Sequence, residues 1–191
     1  MEKAVIMETS ARHLHVSRED LDTLFGPGHE LTPKKALSQP GQYACEERVK
    51  IVGPKGRVLT ATILGPVRPE TQVELSLTDA RNVGIKAPVR ESGDTAGTPG
   101  CKLVGPHGKV VLPHGVIAAK RHIHATPAEA ERFGLEDKQI VQVRYQSDGR
   151  ALIYDDVVVR VNPNFAFYMH IDTDESNAGR AANGALGEIL V

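Results

Sequence analysis

A short segment that occurs twice constrains the fold of this chain more than any other feature. Residues 10–17 read SARHLHVS, and residues 119–126 read AKRHIHAT. The arginines of the two Arg-His-aliphatic-His motifs, Arg12 and Arg121, stand 109 positions apart (121 − 12). The duplication predicts a chain built from two related halves. It indicates either two similar sites or one site assembled from both halves.

Each motif has the spacing of a metal-ligating histidine pair. Alternate side chains of a strand point to one face, so His13 with His15, and His122 with His124, can each present two imidazoles to one point. Two imidazoles and one polar partner make up most of a zinc or iron site. A single pair could equally be polar strand surface. Two pairs, each preceded by arginine and followed by a helix-start signal, favour metal binding.

A helix-start signal follows each motif. Ser17 and Thr126 are suitable N-cap residues, each with a carboxylate three positions later as in a capping box. In the first copy that carboxylate is Asp20, which is shorter than the preferred glutamate. The glycines Gly26 and Gly134 then predict that each helix ends after about two turns.

The rest of the chain has mostly β-strand patterns. The turns 53–56 and 105–108 have similar Gly-Pro-x-Gly sequences, and 91–100 is predicted to be a loop. Many short strands with such turns favour barrels over a doubly wound sheet. The predicted fold class is mainly β with short capping helices, in two small β-barrels related by an internal pseudo-repeat. Strands are predicted at 48–52, 57–64, 71–77, 139–145, 151–154 and 157–161.

Composition argues against several classes of function. The chain has 191 residues, 40% of them hydrophobic, and a formal net charge of −1. It has no basic run typical of nucleic-acid binding and no apolar stretch long enough to span a membrane. Cys45 and Cys101 lack C-x-x-C spacing, which argues against a zinc knuckle or a disulfide framework. We expect a cytoplasmic protein without a signal peptide and without nucleic-acid or membrane partners.

Three further candidates lie outside the repeated motifs. His170, Asp172 and Asp174 would share a face of an extended segment, where Asp172 could bind a metal or orient an imidazole. Arg68 lies in a predicted turn and either faces solvent or holds an anion in bidentate fashion. Cys101 is a candidate nucleophile, although a lone cysteine without a perturbing neighbour is usually inert packing.

One rival motif involves the first histidine pair. His13, His15 and Glu19, followed by Gly26, fit the metal-binding signature of cupins, which hold iron or manganese on a β-hairpin. Glu19, however, lies inside the first predicted helix, and the second copy has Ala128 at the matching position. We interpret the cupin match as accidental.

Four segments in order resemble the PduL-type phosphate acyltransferases, also called phosphate propanoyltransferases, over nearly the whole chain. They are SARHLH at 10–15, LGPVR at 64–68 with TQVE at 71–74, RHIH at 121–124, and HIDTDE at 170–175. The resemblance implies two β-barrels with helical caps and an exchanged first strand. The expected domains are a first barrel at 12–119 and a second at 120–191, joined by the exchanged segment 1–11.

The resemblance also implies the roles of particular residues. One of them is Glu74, which the sequence pattern alone places on the solvent-exposed face of a strand. Arg68 would hold phosphate, and two zinc ions per chain would each have three protein ligands. The expected ligands are His13, His15 and Glu74 for one zinc, and His122, His124 and His170 for the other.

The implied activity is the reversible transfer of a short acyl group, propanoyl or acetyl, between coenzyme A and inorganic phosphate. Acyl-CoA and phosphate would be the substrates, and we expect a homo-oligomer, a dimer. A bacterial microcompartment is the second expected location besides the free cytoplasm. Some relatives enter it through an amphipathic N-terminal helix, whereas only nine residues precede the first motif here, which argues against that route. The alternatives are a zinc-dependent hydrolase of thioesters or amides and a non-catalytic cupin-like metal-binding barrel.

Overall fold

The computed structural model describes residues 3–191, which form fifteen strands and four short helices. Within this range no helix is long and apolar enough to cross a membrane. The helices are α1 (Arg18–Phe25), α2 (Leu77–Val83), α3 (Pro127–Phe133) and α4 (Thr173–Gly179). The strands are β1 (Ala4–Ser10), β2 (His13–His15), β3 (Pro33–Ala36), β4 (Tyr43–Val52), β5 (Val58–Gly65), β6 (Gln72–Glu74), β7 (Val89–Arg90), β8 (Cys101–Val104), β9 (Lys109–Leu112), β10 (Val116–Ala119), β11 (His122–Ala125), β12 (Ile140–Tyr145), β13 (Leu152–Val161), β14 (Tyr168–Asp172) and β15 (Ala185–Leu190).

The chain divides into two compact units. The barrel unit contains the chain up to Ser10, the segment Ser38–Pro40, and Lys120–Val191. The sheet unit contains Ala11–Leu37 and Gly41–Ala119. The predicted fold class, mainly β with short helices in two barrel-like units, is confirmed.

The barrel unit is a closed barrel of six strands in the order β1-β14-β11-β13-β12-β15. Successive side chains of a strand point to opposite faces, so every second residue enters the core. Met7, Ile123, Val143 and Met169 are inward residues of four different strands, and all are essentially inaccessible to solvent.

The sheet unit is a nine-stranded sheet with the order β7-β10-β6-β2-β5-β4-β8-β9, and β3 pairs with β4. The long strand β4 shows the alternation most clearly, since Cys45, Glu47, Val49 and Ile51 are buried while Glu46, Arg48 and Lys50 are exposed. Leu14 of β2 and Ile63 of β5 are buried in the same core. The histidine motif of β2 therefore lies in the middle of the sheet, two strands from β4.

The strand before each histidine motif belongs to the unit that does not contain that motif. β1 runs parallel to β14 with Met7 opposite Met169, and β10 runs parallel to β6 with Val116 opposite Val73. Val116 follows Met7 by 109 positions (116 − 7), the same offset as the two motifs. The two halves thus exchange their first strands reciprocally.

The helix starts after both motifs are confirmed, with one difference between them. Ser17 and Thr126 each accept a hydrogen bond from a backbone N–H three residues later, at 3.2 and 3.3 Å. Glu129 completes a capping box by accepting from the backbone N–H of Thr126 at 2.9 Å. Asp20 does not close its box, since the N–H of Ser17 donates instead to the hydroxyl of Thr71 at 2.9 Å.

The prediction of one strand over 71–77 is wrong. β6 ends at Glu74, and Ser76 caps α2 by accepting from the N–H of Asp79. Leu77, placed by the alternation on the apolar face, is the first helical residue and is 49% exposed. A short buried strand followed at once by a capped helix imitates a longer alternating strand.

Two other local predictions also need correction. Asp172 is the N-cap of α4, a helix that the sequence analysis did not predict, so Asp174 is helical and does not share an extended face with His170. The strands predicted at 151–154 and 157–161 are the single strand β13, in which Asp156 has a φ of 53°. This left-handed residue breaks the alternation of the strand, and the pattern therefore looked like two strands.

The two similar glycine turns lie against the C-terminal ends of helices. A Cβ on Gly53 would lie 1.9 Å from the carbonyl oxygen of Val83, the last residue of α2. A Cβ on Gly105 would lie 2.4 Å from the carbonyl oxygen of Leu24 in α1, which also accepts a hydrogen bond from the N–H of His107. Glycine is required at both positions because the backbones approach so closely.

We predict that Gly53→Ala lowers the free energy of unfolding by about 3 kcal/mol, the upper end of the cost of overpacking. The control is Gly56→Ala in the same turn, where a Cβ would meet nothing within 4 Å but φ is +75°. Backbone strain alone should cost that variant about 1 kcal/mol. Urea unfolding compares the two variants, and an equal or smaller loss for Gly53→Ala would contradict the packing argument.

Candidate metal centres and active site

The first candidate metal cluster consists of His13, His15 and Glu74 in the sheet unit. β2 pairs antiparallel with β6, which sets His13 directly opposite Glu74. Nε2 of His13 lies 3.4 Å from Oε2 of Glu74, and one potential ligand atom of each residue lies within 4.8 Å of the others. Ligands at the corners of a tetrahedral zinc site stand about 3.3–3.6 Å apart. The three side chains therefore have a spacing that suits a metal ion.

Backbone carbonyls orient the two imidazoles of this cluster. Nδ1 of His13 lies 2.9 Å from the carbonyl oxygen of Ala11, and Nδ1 of His15 lies 3.3 Å from that of Leu64. An Nδ1–H that donates to a carbonyl fixes the tautomer and leaves Nε2 unprotonated, which is the form that binds a metal.

Two residues that the sequence analysis did not select hold the carboxylate of Glu74. Oε1 of Glu74 accepts hydrogen bonds from Nε2 of Gln72 at 2.6 Å and from the hydroxyl of Ser92 at 3.0 Å. Gln72 is fixed in turn, because its Oε1 accepts from the N–H of Gly93 at 2.7 Å. Oε1 is thus held by protein donors, and Oε2 faces His13. Gln72 could have been found from the sequence, because it shares a face of the strand with Glu74. Nothing in the sequence of the loop 91–100 indicates a role for Ser92.

Two of the three residues in this cluster, His15 and Glu74, are in the form that binds a metal at neutral pH. Burial lowers the pKa of His15 to about 3, assisted by the charges of His13 and Arg68. Burial also opposes protonation of His13, but the charge and hydrogen bond of Glu74 outweigh it, so the pKa of His13 is raised. The same pairing overcomes burial at Glu74 and lowers its pKa. At neutral pH the cluster therefore holds an ionised carboxylate and a neutral His15.

Arg68 lies beside the first cluster. Its backbone N–H donates to the carbonyl of Val16 at 2.9 Å, which ties its loop to the end of the histidine motif. Its Nη1 lies 3.4 Å from the hydroxyl of Ser92, which itself donates to Glu74. A half-buried guanidinium and a hydroxyl thus border the three candidate ligands. Of the two alternatives for Arg68, this position favours binding an anion over facing solvent.

The second candidate cluster consists of His122, His124 and His170 in the barrel unit. β11 pairs antiparallel with β14, which sets His122 directly opposite His170. The ring centroids lie 4.6 Å apart for His122 and His124, 5.1 Å for His122 and His170, and 4.9 Å for His124 and His170. One potential ligand atom from each ring lies within 4.8 Å of the others.

The imidazole environments of the second cluster also fit a metal ion. Nδ1 of His122 lies 2.8 Å from the carbonyl oxygen of Lys120, which repeats the arrangement of His13 with Ala11. Nδ1 of His124 is buried without a hydrogen-bond partner, and burial lowers the pKa of His124 to about 2. A bound cation would satisfy such a neutral imidazole nitrogen.

The arginine that opens each motif makes an internal ion pair. Nη1 of Arg12 lies 3.0 Å from both carboxylate oxygens of Asp79 in α2. Nε of Arg121 lies 2.7 Å from Oε1 of Glu175 in α4. Each helix follows the strand that carries the third ligand of the cluster, so these arginines connect the two parts of each site.

The remaining candidates lie outside the clusters. Cys101 is buried, and burial raises its pKa to about 12, so the thiol is protonated at neutral pH and is a poor nucleophile. Asp172 caps α4 through the N–H of Glu175. Glu19 is exposed on α1, and Glu74 takes the place that the cupin signature would give to Glu19.

Comparisons with known proteins place the chain among the acyltransferases. A sequence profile described as phosphate propanoyltransferase matches residues 6–182. A "Phosphate propanoyltransferase" of Thermotoga maritima is 56% identical over 189 residues, covering 99% of this chain and 90% of that protein. Proteins of the same name from Listeria monocytogenes and Salmonella typhimurium are 56% and 48% identical, covering 100% and 95% of this chain and 89% and 86% of their own lengths. The chain belongs to the phosphate propanoyltransferase family, which confirms the predicted resemblance. The dimer and the microcompartment stay predictions.

We predict that Glu74→Gln lowers the pKa of His13 below its ordinary value of 6.5 in the metal-free protein. The substitution removes the charge and the acceptor that raise this pKa, while burial and the charge of Arg68 continue to lower it. An NMR titration of the histidine ring carbons measures the change. The control Glu46→Gln removes an exposed carboxylate paired with Lys34 and should leave His13 unchanged. A pKa that stays above 6.5 in Glu74→Gln would refute the coupling.

Proposed function

We propose that this protein is a phosphate acyltransferase that moves a short acyl group, propanoyl or acetyl, between coenzyme A and inorganic phosphate in both directions. The names of its relatives support this class of reaction. The observation that carries the proposal is the grouping of Arg68 and Ser92 around a three-ligand cluster. An arginine and a hydroxyl beside metal ligands can bind an anion at the place where an electrophile is held.

The donors of both clusters suit Zn²⁺, which prefers imidazole nitrogen and carboxylate oxygen and commonly takes three protein ligands in catalytic sites. A bound zinc would polarise the thioester carbonyl and stabilise the departing thiolate of coenzyme A. The proposed ligands are His13, His15 and Glu74 for one ion, and His122, His124 and His170 for the other.

Arg68 is the proposed phosphate-binding residue. Its planar guanidinium can donate two parallel hydrogen bonds to phosphate oxygens and offset their charge as the anion approaches a carbonyl. The hydroxyl of Ser92, 3.4 Å from Nη1, limits where the fork can point. The backbone bond from Arg68 to Val16 fixes the other end of the residue.

The proposed reaction is direct attack without an acyl-enzyme. A phosphate oxygen forms the new bond to the acyl carbon, the carbon–sulfur bond breaks, and the electron pair leaves with the sulfur of coenzyme A as thiolate. The state of Cys101 supports this path, because a buried thiol with a pKa of about 12 supplies almost no thiolate at neutral pH. The reverse reaction follows the same path from acyl phosphate.

An assay of propanoyl-CoA and acetyl-CoA with and without phosphate tests the function. The zinc-loaded protein should release coenzyme A only when phosphate is present and form one acyl phosphate, trapped as its hydroxamate, for each thiol released. Release of coenzyme A without phosphate and without hydroxamate would establish a hydrolase instead. No turnover of either thioester by metal-loaded protein would support a non-catalytic metal-binding barrel.

We predict that Arg68→Lys is a severe substitution. Lysine keeps the positive charge but loses the two-pronged donor, and one lost charge-assisted hydrogen bond should lower kcat/KM for phosphate by about 10- to 100-fold. The KM for acyl-CoA should stay within about twofold of wild type, since the substitution does not change how that substrate binds. Initial-rate kinetics with each substrate varied in turn separate the two effects.

Arg90→Lys is the matched control for this prediction. Arg90 forms an exposed ion pair with Asp94, close in sequence to Ser92. Changes to exposed ion pairs have little effect on stability. If Arg68→Lys and Arg90→Lys use phosphate equally well, Arg68 is not the phosphate-binding residue.

A further inference from the structure

The second cluster is bordered by side chains that lie far from it in the sequence. β1 runs parallel to β14, and Glu8 is the direct register partner of His170. Oε2 of Glu8 lies 3.9 Å from Nδ1 of His170, whose side chain is only 12% exposed. A carboxylate at this distance acts on the ring by its charge or through one bridging water. Nδ1 of His170 therefore faces Glu8.

A hairpin tip holds this carboxylate in place. Ser38 lies in the turn between β3 and β4, and its hydroxyl donates to Oε2 of Glu8 at 2.5 Å. The segment Ser38–Pro40 belongs to the barrel unit although the strands on both sides of it belong to the sheet unit. These three residues therefore belong to the same compact unit as Glu8.

The next residue of the tip fixes the loop that leads into β14. Gln39 is only 5% exposed. Its Oε1 accepts from the N–H of Ala166 at 3.1 Å, and its Nε2 donates to the carbonyl of Ala166 at 3.0 Å. The ring of the preceding residue, Phe165, packs on His124 with centroids 4.1 Å apart. Nε2 of Gln39 also lies 3.4 Å from Nε2 of His170, so this amide borders one ligand directly and reaches His124 only through Phe165.

The first cluster shows that these contacts are specific to the second. Ile117 occupies the position of Glu8 in the repeat, 109 residues later, and is the register partner of Glu74. Ile117 is apolar and fully buried. In the first cluster the carboxylate is itself the candidate ligand. In the second cluster the ligand is an imidazole and the carboxylate lies behind it.

We propose that Glu8, Ser38 and Gln39 are positioning residues of the second metal centre. Glu8 orients the ring of His170 and raises its basicity, Ser38 holds Glu8, and Gln39 fixes the loop that keeps Phe165 against His124. A carboxylate behind a metal-bound histidine is a common arrangement, and its loss typically weakens metal binding by about 10- to 100-fold. The proposal deepens the proposed function, because it rests on metal binding by His122, His124 and His170.

The experiment measures metal binding at the second cluster alone. A parent protein with His13→Ala and His15→Ala lacks two ligands of the first cluster. Its Zn²⁺ affinity is measured by competition with a chromophoric chelator, and its Co²⁺ complex by visible absorption. Glu8→Gln and Gln39→Leu are introduced into this parent, with Glu46→Gln as the control because Glu46 is an exposed carboxylate on the same hairpin.

We expect Glu8→Gln and Gln39→Leu to weaken Zn²⁺ binding by about 10- to 100-fold. Both should also change the Co²⁺ spectrum, which reports ligand geometry and does not respond to a merely structural loss elsewhere. Glu46→Gln should match the parent in both measurements. Circular dichroism of the metal-free proteins shows which variants fold. If Gln39→Leu does not fold, the Zn²⁺ affinity and Co²⁺ spectrum of Glu8→Gln alone test the proposal.

Affinity and spectrum unchanged in Glu8→Gln would overturn the proposal, and so would a parent protein that binds no metal. The acyl-transfer assay on the wild-type protein is a separate outcome. If wild type lacks phosphate-dependent turnover but its metal affinity depends on Glu8, the positioning role stands and the proposed function fails. If turnover is present and Glu8→Gln binds metal normally, the function stands and the positioning role fails.

Discussion

Each candidate metal centre depends on the register of one antiparallel strand pair. The pairing of His13 with Glu74 brings three ligands together in the sheet unit, and the pairing of His122 with His170 does the same in the barrel unit. A slip of one residue would turn every side chain of a strand to the opposite face. Leu14 lies between the first two histidines and is completely buried in the core of the sheet unit, so a slip would remove it from that core and put a histidine in its place. Core packing therefore fixes the position of the ligands.

The repeated arginine belongs to the same construction. Arg12 and Arg121 each form an ion pair with a carboxylate in the first turn of the helix after the third-ligand strand, Asp79 in α2 and Glu175 in α4. The arginine thus connects the histidine strand to the strand beside it through a helix. Nη1 of Arg12 contacts both carboxylate oxygens of Asp79 while its Nε donates to the carbonyl of Thr60, so two partners fix the guanidinium. This contact explains why the repeated motif includes the arginine as well as the two histidines.

Sequence reasoning predicted features that depend on local pattern and missed those that depend on contacts between distant segments. The histidine pairs and the caps at Ser17 and Thr126 follow from spacing alone. The helix α2 was hidden because its cap follows a strand of three residues. Ser92 could not have been found, since only the fold of an irregular loop brings its hydroxyl to Glu74. Glu74 itself entered through family resemblance, because a buried carboxylate and a solvated one look alike in an alternating strand.

The two halves place their carboxylates differently, and this gives one repeat two unlike centres. Glu74 is a candidate ligand, so a divalent ion there would share its site with one negative charge. The second cluster offers three imidazoles, with Glu8 3.9 Å behind one ring. An ion held by neutral ligands keeps more of its positive charge and attracts anions more strongly than an ion held by a carboxylate. The repeat thus supplies two candidate centres whose ligand sets differ by one negative charge.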